Sequence, residues 1–215
     1  MAEDAATQNQ FTVISPSSQS PLITLPFDST AEITEKITAA TTAFPSWQNT
    51  PLEQRIALLH RFVDIIDSEK DDIVQELALY IGRPVRYGQG EVNGFCFRAR
   101  HMLSIAPSVL SPIHVSAPET QDASIHRYMK RVPVGPVLII SAWNYPYLVA
   151  VNGILPALVA GCTVLFKTSP QSPICAQRLY NAAEKAGIPH GVFQVSRIHA
   201  IIPSFILVTL FRWYT

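Results

Sequence analysis

The sequence predicts an α/β protein in which a layer of helices precedes a partial, doubly wound parallel sheet. Three observations predict it. Between Ser29 and Ile105 apolar residues recur at helical spacing, as in Ile33, Ile37, Ala40 and Phe44. From Pro133 the pattern changes to short, continuous apolar runs, Val137 to Ser141, Thr163 to Phe166 and Val192 to Val195, suited to strands covered on both faces. Helix-length segments separate those runs and close on glycine, the alternation that builds parallel sheets.

Residues 1–28 carry Ser15-Pro16-Ser17-Ser18 and Ser20-Pro21 without a sustained period and are expected to form a mobile arm. Ser29 with Glu32 has the form of a capping box, and Pro45 is expected to end the first helix. Thr50-Pro51-Leu52-Glu53 opens a second helix, with the Thr50 hydroxyl as its cap, proline at the first position and Glu53 three residues after the cap, and with Ile56, Leu59, Phe62, Val63 and Ile66 on its buried stripe. The pattern restarts at Ser68 and runs through Ile73, Leu77 and Tyr80 to Gly82, a left-handed cap ahead of Pro84. A fourth helix covers Tyr87 to Ile105, and Ser124 to Val132 is compatible with an extended strand. Leu148 to Ala160 is a helix closed by Gly161. Ser172-Pro173 starts another that reaches Ala186 and ends at Gly187. Right-handed crossovers then set the three strands side by side as half of a dinucleotide-binding, Rossmann-like fold, in which ligands bind beyond the carboxyl ends of the strands.

Composition narrows the function classes. The chain has 215 residues, enough for a substantial core, and 48% hydrophobic against 15% charged residues is not a disordered composition. Sixteen basic and sixteen acidic residues cancel, so no global field draws the chain to nucleic acid or to an anionic bilayer. The acidic start, Met1-Ala2-Glu3-Asp4, lacks the order of a secretory signal, and a cytoplasmic address is the default. Cys96, Cys162 and Cys175 match neither a zinc site nor a disulfide framework and read as reduced thiols. The six histidines form no pair at helical ligand spacing, so no metal is expected. From Ile198 to Phe211 the chain is apolar without alternation. That stretch includes Pro203 and falls short of the ~20 residues needed to cross a bilayer, which argues against a membrane tail.

The polar residues at the strand ends carry the candidate chemistry. Asn144, in Ala142-Trp143-Asn144-Tyr145-Pro146, has two readings on residues alone: a side-chain amide donor at the mouth of the sheet, or a turn residue ahead of Pro146. Trp143 and Tyr145 read equally as packing aromatics. Lys167, at the end of a buried run, reads on residues alone as a solvated strand end. No Gly-x-Gly-x-x-Gly fingerprint is present, so the fold by itself is weak grounds for a nicotinamide cofactor.

From about Ala40 to Val195 the chain resembles the aldehyde dehydrogenase superfamily. The residues that carry the resemblance are Ala43-Phe44 with Trp47, Arg55, Gly82-Arg83-Pro84, Pro133-Val134-Gly135-Pro136, Ala142-Trp143-Asn144-Tyr145-Pro146, Pro156-Ala157-Leu158-Val159-Ala160-Gly161, Lys167 and Ala186-Gly187-Ile188-Pro189. The resemblance implies oxidation of a small-molecule aldehyde with NAD or NADP as acceptor, through a cysteine thiolate and a glutamate-activated water. It implies that Asn144 is the oxyanion-hole donor, that Ser141, Ala142 and Trp143 lie on the nicotinamide side, and that Lys167 and Ser169 face the adenosine ribose. Tyr145 is expected to pack. Where the family commonly continues Lys-Pro-Ser-Glu this chain has Lys167-Thr168-Ser169-Pro170, and the choice between NAD and NADP stays open.

The resemblance also sets limits. Cys162 falls at a core position, and none of the three cysteines has the glycine-rich context of the family's nucleophile, which would lie beyond Thr215. The expected division is therefore an arm over 1–28, a partial cofactor-binding domain over 29–196 and a non-family apolar tail over 197–215, the last read as a truncated product that runs past a splice boundary near Ser196. Such a chain is expected to be inactive alone, and a family-type homo-oligomer is expected to be impaired because the 124–132 strand would lose its partners. The alternative function is a non-catalytic remnant that binds a nucleotide or a full-length paralogue. Substrate-shaping positions are expected on the second and fourth helices, with small aliphatic or semialdehyde substrates favoured by the Ala-Trp-Asn-Tyr-Pro-Tyr run.

Overall fold

The computed structural model describes residues 9–114 and 127–198. Strands β1 (Gln10–Ile14) and β2 (Pro21–Pro26) form an antiparallel hairpin. Helices α1 (Thr30–Asn49), α2 (Leu52–Ser68), α3 (Lys70–Ile81) and α4 (Val85–Leu110) follow. Next come β3 (Ile113–His114) and β4 (Tyr128–Met129), then β5 (Val137–Ile140), α5 (Pro146–Ala160), β6 (Val164–Lys167), α6 (Pro173–Lys185) and β7 (Phe193–Val195). The last three strands form one parallel sheet in the order β5-β6-β7, with Val137 opposite Val164 and Val164 opposite Phe193. The predicted α/β architecture, a helical layer before an incomplete Rossmann-like sheet, is the one observed.

Local signals account for most boundaries. Ser29 and Glu32 form the capping box reciprocally: the Glu32 N–H donates to Ser29 Oγ at 3.2 Å and the Ser29 N–H to Glu32 Oε2 at 2.7 Å. Gly82, Gly161 and Gly187 all adopt the positive φ expected of helix-ending glycines. Helix α5 is apolar nearly all round because it is buried between the sheet and the helical layer. Gly94 of α4 makes the close approach of that layer feasible, since a Cβ there would stand 2.8 Å from Leu148 Cδ1.

Several boundaries differ from the expectation. Within the segment expected to be an arm, residues 10–26 form the β1–β2 hairpin, whose Val13 and Ser15 are buried and whose Pro16 lies against Gly82. Pro45 does not end α1. The helix continues to Asn49 because Trp47 is buried and its indole N–H donates to Leu158 O at 3.1 Å, so a tertiary anchor outweighs the lost backbone bond. Thr50 does not cap α2; Pro51 occupies that position without a side-chain cap, and Thr50 Oγ1 donates back to Ser46 O. Helix α4 likewise runs past Pro107 to Leu110. The strand expected over 124–132 is short, Tyr128–Met129, and it pairs with Ile113–His114 rather than standing without a partner. Part of that expectation, and the tail from residue 199, lie outside the described residues.

The core joins both layers: Phe62 of α2 and Phe95 of α4 meet edge-on at 6.2 Å, and Phe95 meets Tyr147 of α5 in the same manner at 6.2 Å. Helix α5 is clamped at its C-terminal end by two residues of the helical layer. Trp47 bonds Leu158 O, and the Arg55 Nε–H donates to Val159 O at 3.1 Å, supplying a donor and a cation where the last carbonyls of a helix lack partners.

Candidate active site

Strand β5 delivers its carboxyl end to an open groove. Ser141 is buried, and its N–H donates to Lys167 O at 3.0 Å, which locks the end of β5 to the end of β6. The chain then leaves the sheet: Ala142, Trp143 and Asn144 are exposed, Trp143 by 51%. The Asn144 side-chain amide makes no hydrogen bond among the described residues, while its backbone carbonyl accepts from Arg83 Nη2. A groove of about 620 Å³ opens here, lined by Arg83, Tyr87, Glu91, Trp143, Asn144 and Leu148. Tyr87, Gly90 and Glu91 of α4 form one wall of it.

Tyr145 was expected to pack; it is instead 43% exposed and lies beneath the Arg83 guanidinium, whose carbon stands 4.0 Å from the ring centroid. Arg83 also pairs with Glu91, Nε to Oε2, at 3.0 Å. That N–H is not aligned on the oxygen, so the contact is an ion pair rather than a directed hydrogen bond. The Glu91 carboxylate is fully buried and accepts from the Tyr147 N–H at 3.0 Å. Burial pushes its pKa up, and the backbone N–H groups at the start of α5 and Arg83 offset that only in part.

The consequence concerns the first turn after β5. In an open α/β sheet the helix N-terminus at this place is a ready anion site. Here a carboxylate from α4 already occupies it, taking the Tyr147 N–H and opposing a second anion at the start of α5.

The carboxyl end of β6 is different. Lys167 is partly exposed and its ammonium makes no ion pair or side-chain hydrogen bond among the described residues. Thr168 Oγ1 and Ser172 Oγ bond each other at 3.1 Å, and Ser169 Oγ accepts from the Gln171 N–H at 3.2 Å while keeping its own proton to donate. An uncommitted lysine and a serine hydroxyl at the end of a parallel strand fit the hydroxyl or phosphate groups of a nucleotide ribose. Ser141, Ala142, Trp143 and Asn144 thus gather at one strand end and Lys167 with Ser169 at the neighbouring one, along the same edge of the sheet.

All three cysteines are buried. Burial raises the Cys96 thiol to about 11 and pushes that of Cys175 well above its ordinary value, so neither is a thiolate at neutral pH. Cys162, 5% exposed, follows Gly161 ahead of β6, at the amino ends of the parallel strands, whereas Asn144 lies beyond the carboxyl end of β5. Among the described residues no group of His, Cys, Asp and Glu could hold a metal ion, and no helix is long and apolar enough to cross a membrane.

A family model, the aldehyde dehydrogenase family, matches residues 3–198. The chain belongs to that family. A relative described as an aldehyde dehydrogenase from Paenarthrobacter nicotinovorans is 35% identical over 164 residues, 76% of this chain and 35% of its own. The 5-carboxymethyl-2-hydroxymuconate semialdehyde dehydrogenase of Escherichia coli is 30% identical over 90% of this chain and 40% of its own. Among solved structures, an NADP-dependent glyceraldehyde-3-phosphate dehydrogenase from Bacillus halodurans, complexed with NADP, superposes with a TM-score of 0.84 at 28% identity, covering 95% of this chain and 42% of that one. An aldehyde dehydrogenase from Brucella melitensis gives 0.83 at 30% identity, covering 91% and 40%. This aldehyde dehydrogenase family chain spans about 40% of the length of such relatives. The match begins within the expected arm and ends at residue 198, past the expected boundary at Ser196.

Two residues of the site escape a reading of the sequence by motif. Arg83 is visible in Gly82-Arg83-Pro84 without a role, and Glu91 is not singled out. The signal for Glu91 is its place in α4: it shares the buried stripe of Gly88, Val92 and Phe95, where a lone carboxylate needs a partner.

Proposed function

We propose that this chain supplies the oxyanion donor and the adenosine-facing strand ends of an NAD(P)-dependent aldehyde-oxidising enzyme, and that the 215-residue polypeptide does not turn over aldehyde by itself. The observation that carries this reading is Asn144: an exposed side-chain amide, free of hydrogen bonds among the described residues, at the carboxyl end of β5 beside an open groove. An amide held ready for a developing oxyanion stabilises it by ~3 kcal/mol without reorganising. Ser141 fixes the strand end, while Ala142 and Trp143 form the ledge beside it. Lys167 and Ser169 would hold the ribose of NAD or NADP, which supplies the electron acceptor when bound. Several relatives act on semialdehydes by name, and an aliphatic aldehyde or semialdehyde is the substrate class proposed here.

Inactivity alone rests on the thiols. No cysteine of this sequence is both exposed and near Asn144, so the covalent step has no nucleophile among these residues. The test has two parts. The purified chain should show no NAD- or NADP-dependent oxidation of propanal or succinic semialdehyde. When fused after Val195 to the remaining part of the Escherichia coli relative, it should become active, and Asn144→Ala should lower kcat by ~10²–10³-fold. Turnover by the chain alone, or an active fusion indifferent to Asn144→Ala, overturns the reading.

The same burial of the thiols favours a second reading, a non-catalytic remnant that binds a nucleotide or a full-length paralogue. Calorimetric titration with NAD and NADP, with Lys167→Ala as control, and co-purification with an intact relative test it.

A further inference from the structure

Residues 144–147 are gripped from outside their own segment. Arg83, in the link between α3 and α4, donates to Asn144 O and covers the Tyr145 ring; Glu91, nearly two turns into α4, takes the Tyr147 N–H and pairs with Arg83. The two grips are chemically distinct. The first is a cation on a carbonyl and a ring, and the second is an anion on a helix N-terminus. They are joined by the Arg83–Glu91 ion pair, whose members are 12% and 0% exposed.

We propose that Arg83 and Glu91 are positioning residues for Asn144: the Glu91 charge holds the Arg83 guanidinium over the strand end, and Arg83 fixes the backbone from which the Asn144 amide projects into the groove. This rests on the reading of Asn144 as the oxyanion donor. A donor is useful only if its placement is fixed beforehand, because an amide on a loose loop pays ordering entropy at the moment of reaction. Nothing else among the described residues bonds the Asn144 backbone carbonyl, so the clamp is the constraint on that peptide.

The arrangement makes an unusual pH signature. Burial sets the Glu91 pKa above the ordinary carboxylate value, and the groups that face it are Arg83 from the α3–α4 link, Tyr147 from α5 and Cys175 from α6; Glu76 of α3 is paired with Arg178. A carboxyl whose pKa is raised on folding stabilises the fold below its unfolded value, and that contribution is lost as pH rises through the folded value. The ion pair with Arg83 forms over the same interval. Order at Asn144 therefore rises with pH while the contribution of Glu91 to global stability falls, whereas a merely structural role would move both together.

Backbone ¹⁵N relaxation on the full chain reads this directly. In the wild type the Asn144 order parameter should climb toward that of rigid backbone, about 0.85, as pH rises through the Glu91 titration. Glu91→Gln keeps an acceptor for the Tyr147 N–H but removes the charge, and it should leave Asn144 below about 0.6 at every pH, with the α5 interior unchanged. Arg83→Lys retains the ion pair but loses the fork and the stack, so it should loosen Asn144 while the titration persists; its partly exposed site keeps the test available if Glu91→Gln fails to fold. An Asn144 order parameter that is the same in wild type and both variants, or that is independent of pH in the wild type, overturns the positioning role whatever Asn144 does chemically. In the active fusion, both variants should lower kcat with KM little changed. If they loosen Asn144 without lowering kcat, the catalytic reading of Asn144 fails and the clamp stands.

Discussion

Asp28 shows how one side chain can join distant parts of this chain. Its Oδ2 accepts from Lys36 Nζ, from Ser196 Oγ at 2.7 Å and from the Arg197 N–H at 3.0 Å, while its own N–H donates to Arg197 O at 3.1 Å. Burial pushes the Asp28 pKa up, but these donors outweigh it and hold the carboxyl below its ordinary value. A depressed folded-state pKa contributes stability above the unfolded value that is lost as pH falls through the folded one. Urea midpoints should therefore decline on acidification below about pH 4, and Asp28→Asn should flatten that decline while costing ~3 kcal/mol at pH 7. The same clasp holds Arg197, which the sequence reading assigned to the tail. The cysteines give a second test at this scale. With burial raising Cys96 and Cys175, the native chain should react with a disulfide reagent at least ~100-fold more slowly than the chain unfolded in guanidinium, as thiolate chemistry requires exposure. Fast labelling of any one thiol in the native state would contradict its described burial.

Helix α5 concentrates the information at the next scale up. Its N-terminus is met by the Glu91 carboxylate and its C-terminus by the Arg55 cation and the Trp47 indole, each charge placed where the helix dipole favours it. Arg55 further donates to Gln48 O and Thr50 O, so one guanidinium ties the ends of α1 and α5 together. Burial lowers its pKa, yet the group stays charged. Arg55→Met should cost ~2 kcal/mol by urea unfolding, since it leaves three carbonyls without that donor. The turn before β7 is tighter still. Gly191 has φ +85°, and a Cβ there would lie 2.6 Å from Ala39 O and 2.9 Å from Ala43 Cβ. Gly191→Ala should therefore destabilise by at least ~2 kcal/mol, because neither the strained backbone nor the neighbouring α1 carbonyl can yield cheaply.

For the whole molecule the governing feature is the sheet order. In the order β5-β6-β7, strand β5 bonds β6 on one side, through Val137 N–H to Thr163 O and Ser141 N–H to Lys167 O. Alternation along a parallel ladder then turns the Leu138 and Ile140 backbone groups outward, and Ile140 is 64% exposed. An apolar strand edge of that kind is a template for pairing with another chain. The purified chain should associate in a concentration-dependent manner on size-exclusion chromatography with light scattering. Ile140→Lys should shift it toward monomer with an unchanged melting temperature; equal association in both would exclude this edge.

Much of the fold was legible because its signals are local. The capping box at Ser29, the glycine stops at Gly82, Gly161 and Gly187 and the three apolar strand runs depend on residues within a few positions of one another, although β5, expected to be covered on both faces, is only half-buried. Asn144, Trp143 and Lys167 were legible as polar interruptions at the ends of those runs. What the sequence could not show was set by partners far along the chain. Trp47 carries α1 through Pro45 by bonding a residue 111 positions away, and Glu91 reaches Tyr147 across 56. Local propensity fixed which segments are helix and strand; only the tertiary structure determined where a helix overrides its proline and that the Arg83 guanidinium bonds the Asn144 carbonyl. The physical reason is that a buried polar group must find its partner wherever packing brings one, and no period in the sequence encodes that distance.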